Sequence, residues 1–123
     1  MSKRVLIAES SKFFSEVLSE TLTLLGFDVV GITSKRSHID ALALKTKPDL
    51  LIFDLHLSSK SSNKFNDLKD LREQLPEMKV VVLGIHEAAD HLLEQIKNAG
   101  FDGFWNKYNK RSELTKLLTA LFP

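Results

Sequence analysis

Residues 50–54 read Leu-Leu-Ile-Phe-Asp, a run of four apolar residues that ends in a carboxylate. An uninterrupted apolar run of this length is typical of a strand that is buried on both faces in the middle of a parallel sheet. Asp54 then lies at the carboxyl end of the strand, where open α/β sheets collect their ligands. The alternative interpretation of Asp54 is an ordinary solvated loop residue.

Length and composition indicate a single domain over residues 1–123. The chain has 123 residues, no cysteine and a formal net charge of +1. A domain of this size buries a core without disulfides, and so balanced a charge does not indicate nucleic-acid binding. The first apolar run, Val5–Ala8, is too short for a signal peptide or a membrane span. We therefore expect a cytoplasmic protein that contacts neither nucleic acid nor membrane.

Strand and helix patterns alternate along the whole chain. The predicted strands are Lys3–Ala8, Phe27–Ile32, Leu50–Asp54, Lys79–Leu83 and Phe101–Asn106. The apolar stripes of the predicted helices are Phe14, Val17, Leu18, Thr21, Leu22 and Leu25, then Leu42 and Leu44, then Leu68, Leu71 and Leu75, then Ala89, Leu92, Leu93 and Ile96, and finally Leu114, Leu117, Leu118 and Leu121. The predicted helix boundaries are Ser10 or Ser11, Gly26, a capping box at Ser37–Asp40, Pro48, Pro76 and Gly100.

Five such strand and helix units predict an α/β fold with a parallel sheet and helices on both faces. We expect the flavodoxin-like (βα)5 three-layer sandwich, with strand order 2-1-3-4-5. In that order the carboxyl ends of the strands bring polar residues together at one edge. They are Glu9 and Ser10 after the first strand, Asp54 and His56 after the third, Gly84 and His86 after the fourth, and Asn106 and Lys107 after the fifth.

Three segments carry a resemblance to a known family. Residues 5–10 (Val-Leu-Ile-Ala-Glu-Ser) stand where the family has a hydrophobic strand followed by two acidic residues. Residues 48–55 resemble the segment that ends in its phosphoacceptor Asp, and residues 99–107 resemble the segment that ends in its essential Lys. The whole chain resembles the receiver domain of bacterial response regulators, the module of two-component signalling.

The resemblance implies a role for each matched position. Asp54 is the candidate phosphoacceptor and Lys107 the cation that offsets phosphoryl charge. Mg²⁺ is expected on Glu9, Asp54 and the backbone carbonyl of His56. The implied partners are a sensor histidine kinase or phosphotransfer protein, and a downstream protein on the face formed by helix 4, strand 5 and helix 5. The resemblance implies a signalling protein, not an enzyme.

The sequence departs from the family pattern at three places. Ser10 stands where the family has the acid that touches the metal directly, and a neutral hydroxyl is a poorer Mg²⁺ ligand than a carboxylate. Gly84 replaces a Thr or Ser whose hydroxyl moves on activation, so Phe104, the switch aromatic by resemblance, has lost its coupling partner. The polar loop Ser58–Asn63 lacks the usual Pro and Gly. We therefore expect a weakened Mg²⁺ site and a weakened switch.

A second interpretation belongs to another functional class. It is a pseudo-receiver that acts as a protein-interaction module without phosphoryl chemistry, in which Asp54 and Lys107 remain only as a stabilising salt bridge. Ser10 and Gly84 favour this interpretation, whereas Asp54 and Lys107 favour the phosphoacceptor.

Two further groups of residues are candidates for binding. Glu9, Asp54, His56 and His86 are a candidate transition-metal set, although two ordinary loop histidines explain the same residues. Trp105 is interpreted as a packed strand residue, with a place on the partner-docking face as the alternative.

Three further motifs fit poorly. Residues 54–59 partly match the Asp-x-His-x-x-Gly run of cobalamin-binding domains, but they follow the third strand and lack the Gly. Residues 9–12 have no Gly for a flavodoxin phosphate loop. A phosphatase of the haloacid dehalogenase type needs a second Asp where His56 stands.

Overall fold

The computed structural model describes residues 2–57, 65–85 and 90–123. Within these ranges the strands are β1 (Arg4–Ala8), β2 (Asp28–Thr33), β3 (Leu50–Asp54), β4 (Lys79–Gly84) and β5 (Gly103–Asn106). The helices are α1 (Lys12–Leu24), α2 (Ile39–Thr46), α3 (Asn66–Gln74), α4 (Asp90–Asn98) and α5 (Arg111–Leu121), and Arg36–His38 and Leu55–Leu57 each form one 3₁₀ turn. No helix within the described ranges has the length and apolarity needed to cross a lipid bilayer.

The strands form one parallel sheet in the order β2-β1-β3-β4-β5. This arrangement confirms the predicted flavodoxin-like fold and its strand order. Asp54 pairs in register with Leu83, and Gly84 pairs with Asn106. Because all strands run the same way, the residues that follow β1, β3, β4 and β5 meet at one edge of the sheet.

Side chains from the two faces of the sheet pack into two separate cores. One core joins alternate strand residues to α2, α3 and α4, with Leu6, Leu51, Phe53, Val80, Val82, Ile39, Leu68 and Ile96 among its members. The other joins the remaining strand residues to α1 and α5, with Val5, Ile7, Ile52, Leu83, Trp105, Leu18, Leu22, Leu114 and Leu118 among its members. Strand β3 is buried along its whole length because it contributes to both cores.

The boundaries of α1 agree with the sequence signals. Ser11 is the N-cap, and its Oγ accepts a hydrogen bond from the backbone N–H of Phe14 at 3.1 Å. Gly26 follows the helix with φ of +95°, a left-handed conformation that glycine adopts without steric cost. The helix therefore begins immediately after the edge of the sheet that holds Glu9 and Ser10.

The predicted capping box at Ser37–Asp40 is wrong. The N-cap of α2 is His38, and it makes no side-chain capping hydrogen bond. Ser37 lies inside the 3₁₀ turn Arg36–His38, so its hydroxyl does not stand at the cap position. The sequence signal failed because the chain completes a tighter turn before the α-helix begins.

Several boundary and burial predictions also differ from the structure. The periodicity predicts Leu44 and Leu93 on apolar stripes, but they are 41% and 45% exposed. β5 begins at Gly103 instead of Phe101. The backbone N–H of Asp102 donates to the carbonyl oxygen of Val80 at 2.8 Å, but the N–H of Val80 donates to the side-chain carboxylate of Asp102, also at 2.8 Å, instead of to a backbone carbonyl. The loop Ser58–Asn63 and Ala89 lie outside the described residues.

Candidate functional site

Asp54 ends β3 with a fully buried side chain whose two oxygens accept hydrogen bonds from different segments. Oδ2 accepts the hydroxyl of Ser10 and also the backbone N–H of Ser10, the latter at 3.0 Å. Oδ1 accepts the backbone N–H of His56 at 3.0 Å. The carboxylate is therefore fixed by donors from the turn after β1 and from the turn that follows its own strand.

Lys107 connects the two buried carboxylates of the edge. Its Nζ forms an ion pair with Oε1 of Glu9 and lies 3.5 Å from Oδ2 of Asp54. Its backbone N–H donates to the carbonyl oxygen of Gly84 at 2.8 Å, which fixes the start of the loop after β5. The structure thus brings together Glu9, Asp54 and Lys107, as the strand order predicts.

The pKa values of the two carboxyl groups move in opposite directions. Burial raises the pKa of Asp54, but the Ser10 hydroxyl, the amides of Ser10 and His56 and the charge of Lys107 outweigh it, so the pKa lies below its ordinary value of 3.8. Burial raises the pKa of Glu9 above 4.5, because the hydrogen bond from Lys107 offsets only part of that effect. Asp54 is therefore ionised at neutral pH, as a nucleophilic carboxylate must be.

The carboxylate oxygens of Glu9 and Asp54 differ in how available they are to a hard divalent cation. Oε2 of Glu9 is buried and has no hydrogen-bond partner among the residues that the structure describes. An unpartnered, buried carboxylate oxygen suits a cation that prefers oxygen ligands. The oxygens of Asp54, in contrast, already accept protein donors. Oε2 of Glu9 fits such an ion, which would have to compete with Ser10 and Lys107 for the remaining carboxylate oxygens.

Gly84 and Phe104, the switch positions by resemblance, lie on β4 and β5. Gly84 ends β4, is buried and carries no side chain that could donate to a group on Asp54. Phe104 is partly buried and packs against the core formed with α2, α3 and α4. It pairs in register with Val82, two residues before Gly84.

Trp105 is a packed strand residue and not part of an exposed docking face. Its side chain is 7% exposed and lies in the core between the sheet, α1 and α5. Its ring centroid lies 6.4 Å from that of Phe14.

The transition-metal set is only partly placed by the structure. His56 is exposed in the 3₁₀ turn after β3, and His86 lies outside the described residues. No group of three or more His, Cys, Asp or Glu side chains arranged to hold a metal occurs in residues 2–57, 65–85 and 90–123.

Two features of the site were missed from the sequence. The sequence pattern marks Ser10 only as a missing acid, whereas its hydroxyl and amide are donors that hold Asp54. The pattern marks Phe14 only as a member of an apolar helix stripe, whereas its ring centroid lies 5.0 Å from the ammonium of Lys107. The position of Phe14 about one helical turn after Ser10 is the available signal, but its partner Lys107, in the loop after β5, is distant in sequence.

Comparisons with known proteins agree on one family. The response regulator receiver domain family matches residues 5–119. The chain is 26% identical over 122 residues to the chemotaxis protein CheY of Thermotoga maritima, with 98% of each chain covered.

Solved structures share the fold at lower identity. A LuxR-family two-component response regulator from Aurantimonas sp. is 17% identical, with a TM-score of 0.85 over 98% of this chain and 85% of that one. A response regulator from Thermotoga maritima is 19% identical, with a TM-score of 0.84 over 98% of both chains. The family match covers residues 5–119, and the sheet order agrees with it: the chain belongs to the receiver domains of two-component response regulators.

Proposed function

We propose that this receiver domain accepts a phosphoryl group on Asp54, with Lys107 as the cation that stabilises the transferred charge. The observation that carries the proposal is the placement of a buried, ionised carboxylate at the end of β3 with an ammonium 3.5 Å away. Receiver domains are generally non-enzymatic signalling domains, so the modified aspartate is the signal and not an intermediate of turnover.

The proposed step is an in-line displacement at phosphorus. An oxygen of Asp54 forms a new bond to phosphorus as the bond between phosphorus and the donor breaks, and the donor leaves with the electron pair. No proton needs to be removed from Asp54, because its pKa lies below its ordinary value. The ammonium of Lys107, 3.5 Å from Oδ2 of Asp54, would stabilise the charge on the phosphoryl oxygens.

Receiver domains typically bind Mg²⁺, and in this chain Glu9, Asp54 and the backbone carbonyl of His56 would hold it. A bound divalent ion supplies additional positive charge against the phosphoryl oxygens. We propose that the affinity for the ion is low, because Ser10 contributes no carboxylate and donates to an oxygen that the ion would use.

Receiver domains interact with histidine kinases or phosphotransfer proteins and with output domains. We propose that a sensor histidine kinase or phosphotransfer protein is the donor, which would place this chain in the cytoplasm. We propose the face of α4, β5 and α5 as the surface for the downstream partner. This choice rests on the resemblance to receiver domains.

The test is the intact mass of the protein after incubation with acetyl phosphate and Mg²⁺. We expect a single phosphoryl adduct in the wild type and none in Asp54→Asn, which keeps the volume and removes the nucleophile. An adduct of equal size in Asp54→Asn would place the modification elsewhere. No wild-type adduct at saturating Mg²⁺ would reject the proposal.

The alternative is a pseudo-receiver that binds its partner without phosphorylation. The hydrogen bonds from Ser10 to Asp54 favour it, because they satisfy the carboxylate without any incoming group. Gly84 favours it too, since it offers no hydroxyl to a phosphoryl oxygen. Under this alternative, Asp54→Asn leaves partner binding unchanged, whereas a phosphorylation-dependent receiver loses its response.

A further inference from the structure

The ammonium of Lys107 has a third neighbour besides the two carboxylates. Its Nζ lies 5.0 Å from the ring centroid of Phe14, a distance at which the face of an aromatic ring attracts a cation. Glu9 and Asp54 contact the same ammonium. With its side chain only 8% exposed, Lys107 has little water available to replace a lost contact.

The ring of Phe14 is itself held from two directions. The backbone N–H of Phe14 donates to the N-cap hydroxyl of Ser11, which fixes the residue in the first turn of α1. The ring packs against Trp105 with the two planes tilted by 34°. Trp105 lies on β5, and Lys107 is the first residue after that strand. The ring of Phe14 thus contacts both Trp105 and the ammonium of Lys107.

We propose that Phe14 is a positioning residue that holds the ammonium of Lys107 between Glu9 and Asp54. A lysine side chain is long and flexible, and an aromatic face restrains its charged end without adding a competing charge. An effect of Phe14 on the rate of phosphoryl transfer rests on the proposed function of Asp54. The placement of the ammonium by Phe14 does not rest on that function. Phe14 acts through Lys107 and does not contact the reacting atoms.

The competing explanation is simple packing, since Phe14 is also the first member of the apolar stripe of α1. Phe14→Leu keeps an apolar side chain and removes the aromatic face, whereas Phe14→Tyr keeps the face. Phe13 offers a matched control, because it is the same residue type in the same turn but is 77% exposed. Phe13→Leu therefore makes the same chemical change away from the lysine.

The first readout is NMR of the Lys107 side chain, assigned with Lys107→Arg. A cation held over a ring has ε-methylene protons shifted upfield, and an ammonium paired with buried carboxylates exchanges its protons slowly enough to give a ¹⁵N signal. We expect both signatures in the wild type, Phe14→Tyr and Phe13→Leu, and neither in Phe14→Leu. Unshifted protons in the wild type, or an ammonium signal retained in Phe14→Leu, would overturn the proposal.

The second readout is the rate of adduct formation from acetyl phosphate. We expect Phe14→Leu to slow it about fivefold, equivalent to ~1 kcal/mol for a cation–aromatic contact, with Phe14→Tyr and Phe13→Leu near the wild-type rate. Equal rates in Phe14→Leu and the wild type would overturn the positioning role. If the wild type forms no adduct, the proposed function fails, and the NMR pattern alone then supports or overturns the placement of Lys107.

Discussion

Ser10 donates two hydrogen bonds to the same oxygen of Asp54, one from its backbone N–H at 3.0 Å and one from its hydroxyl. By resemblance this position holds an acid, which would repel Asp54 and share a divalent ion with it. In this chain a donor has replaced an acceptor. The protein itself therefore stabilises both carboxylates at this edge, through hydrogen bonds from Ser10 to Asp54 and through the charge of Lys107 at Glu9.

Substitutions of Ser10 should show whether its hydroxyl binds Mg²⁺ or competes with Mg²⁺ for Asp54. We expect Ser10→Asp to tighten binding roughly tenfold or more, because it adds a carboxylate and removes the hydroxyl donor. Ser10→Ala should tighten binding slightly, by less than about threefold, because only the competing hydroxyl is lost. Titration calorimetry measures both, and weaker binding by Ser10→Ala would show that the hydroxyl is itself a ligand.

Ser10→Asp and Gly84→Thr restore the two residues that the family has at these positions. Together they should increase the response to phosphorylation by more than the sum of the two single variants. Ser10→Asp is expected to improve formation of the phosphoryl adduct, whereas Gly84→Thr alone offers a hydroxyl with little phosphoryl group to bind. In the double variant more of the protein carries a phosphoryl group, to which the new threonine hydroxyl can donate. The NMR shifts of Phe104 on phosphorylation should therefore be larger than in either single variant. Additive or absent gains would count against the coupling of the two positions.

The N-cap of α1 should matter both for stability and for the position of Phe14. Ser11→Ala removes the acceptor of the Phe14 backbone N–H, and we expect it to lower the free energy of unfolding by ~1 kcal/mol. Urea unfolding measures the change, with Ser112→Ala in the exposed first turn of α5 as the control. A Ser11→Ala variant as stable as the wild type would mean that water replaces the cap at no cost.

The sequence was sufficient for the sheet and for the residues that meet at its edge. The uninterrupted apolar run of β3 predicted its central position, and the strand order then predicted that Glu9, Asp54 and Lys107 meet. The first prediction depends on burial, which an apolar run records directly, whereas the second depends on the strand order, which is the usual one for five-stranded folds of this kind.

Contacts between distant side chains could not be predicted in the same way. The donation from Ser10 depends on the rotamer of a side chain beside a buried charge, and the contact between Phe14 and Lys107 joins α1 to the loop after β5. The capping box at Ser37–Asp40 failed because a 3₁₀ turn and an α-helical N-terminus have similar local sequences.

The opposite pKa shifts of Asp54 and Glu9 predict opposite effects of pH on stability. Asp54 has a pKa below 3.8 in the folded state, so the stability it contributes is present above about pH 4 and is lost as the pH falls through its folded pKa. Asp54→Asn removes that contribution. The stability of the wild type relative to Asp54→Asn should therefore fall as the pH drops below about 4.

Glu9 follows the reverse rule, because its folded pKa lies above 4.5. The stability that Glu9 contributes to the folded state is fully present below about pH 4.5. It is lost as the pH rises through the folded pKa, since ionised Glu9 is poorly solvated in the folded state. Glu9→Gln should therefore gain stability relative to the wild type between about pH 4 and pH 7. Urea unfolding of the three proteins from about pH 2 to pH 7 measures both effects, and parallel pH profiles for all of them would contradict the assigned shifts.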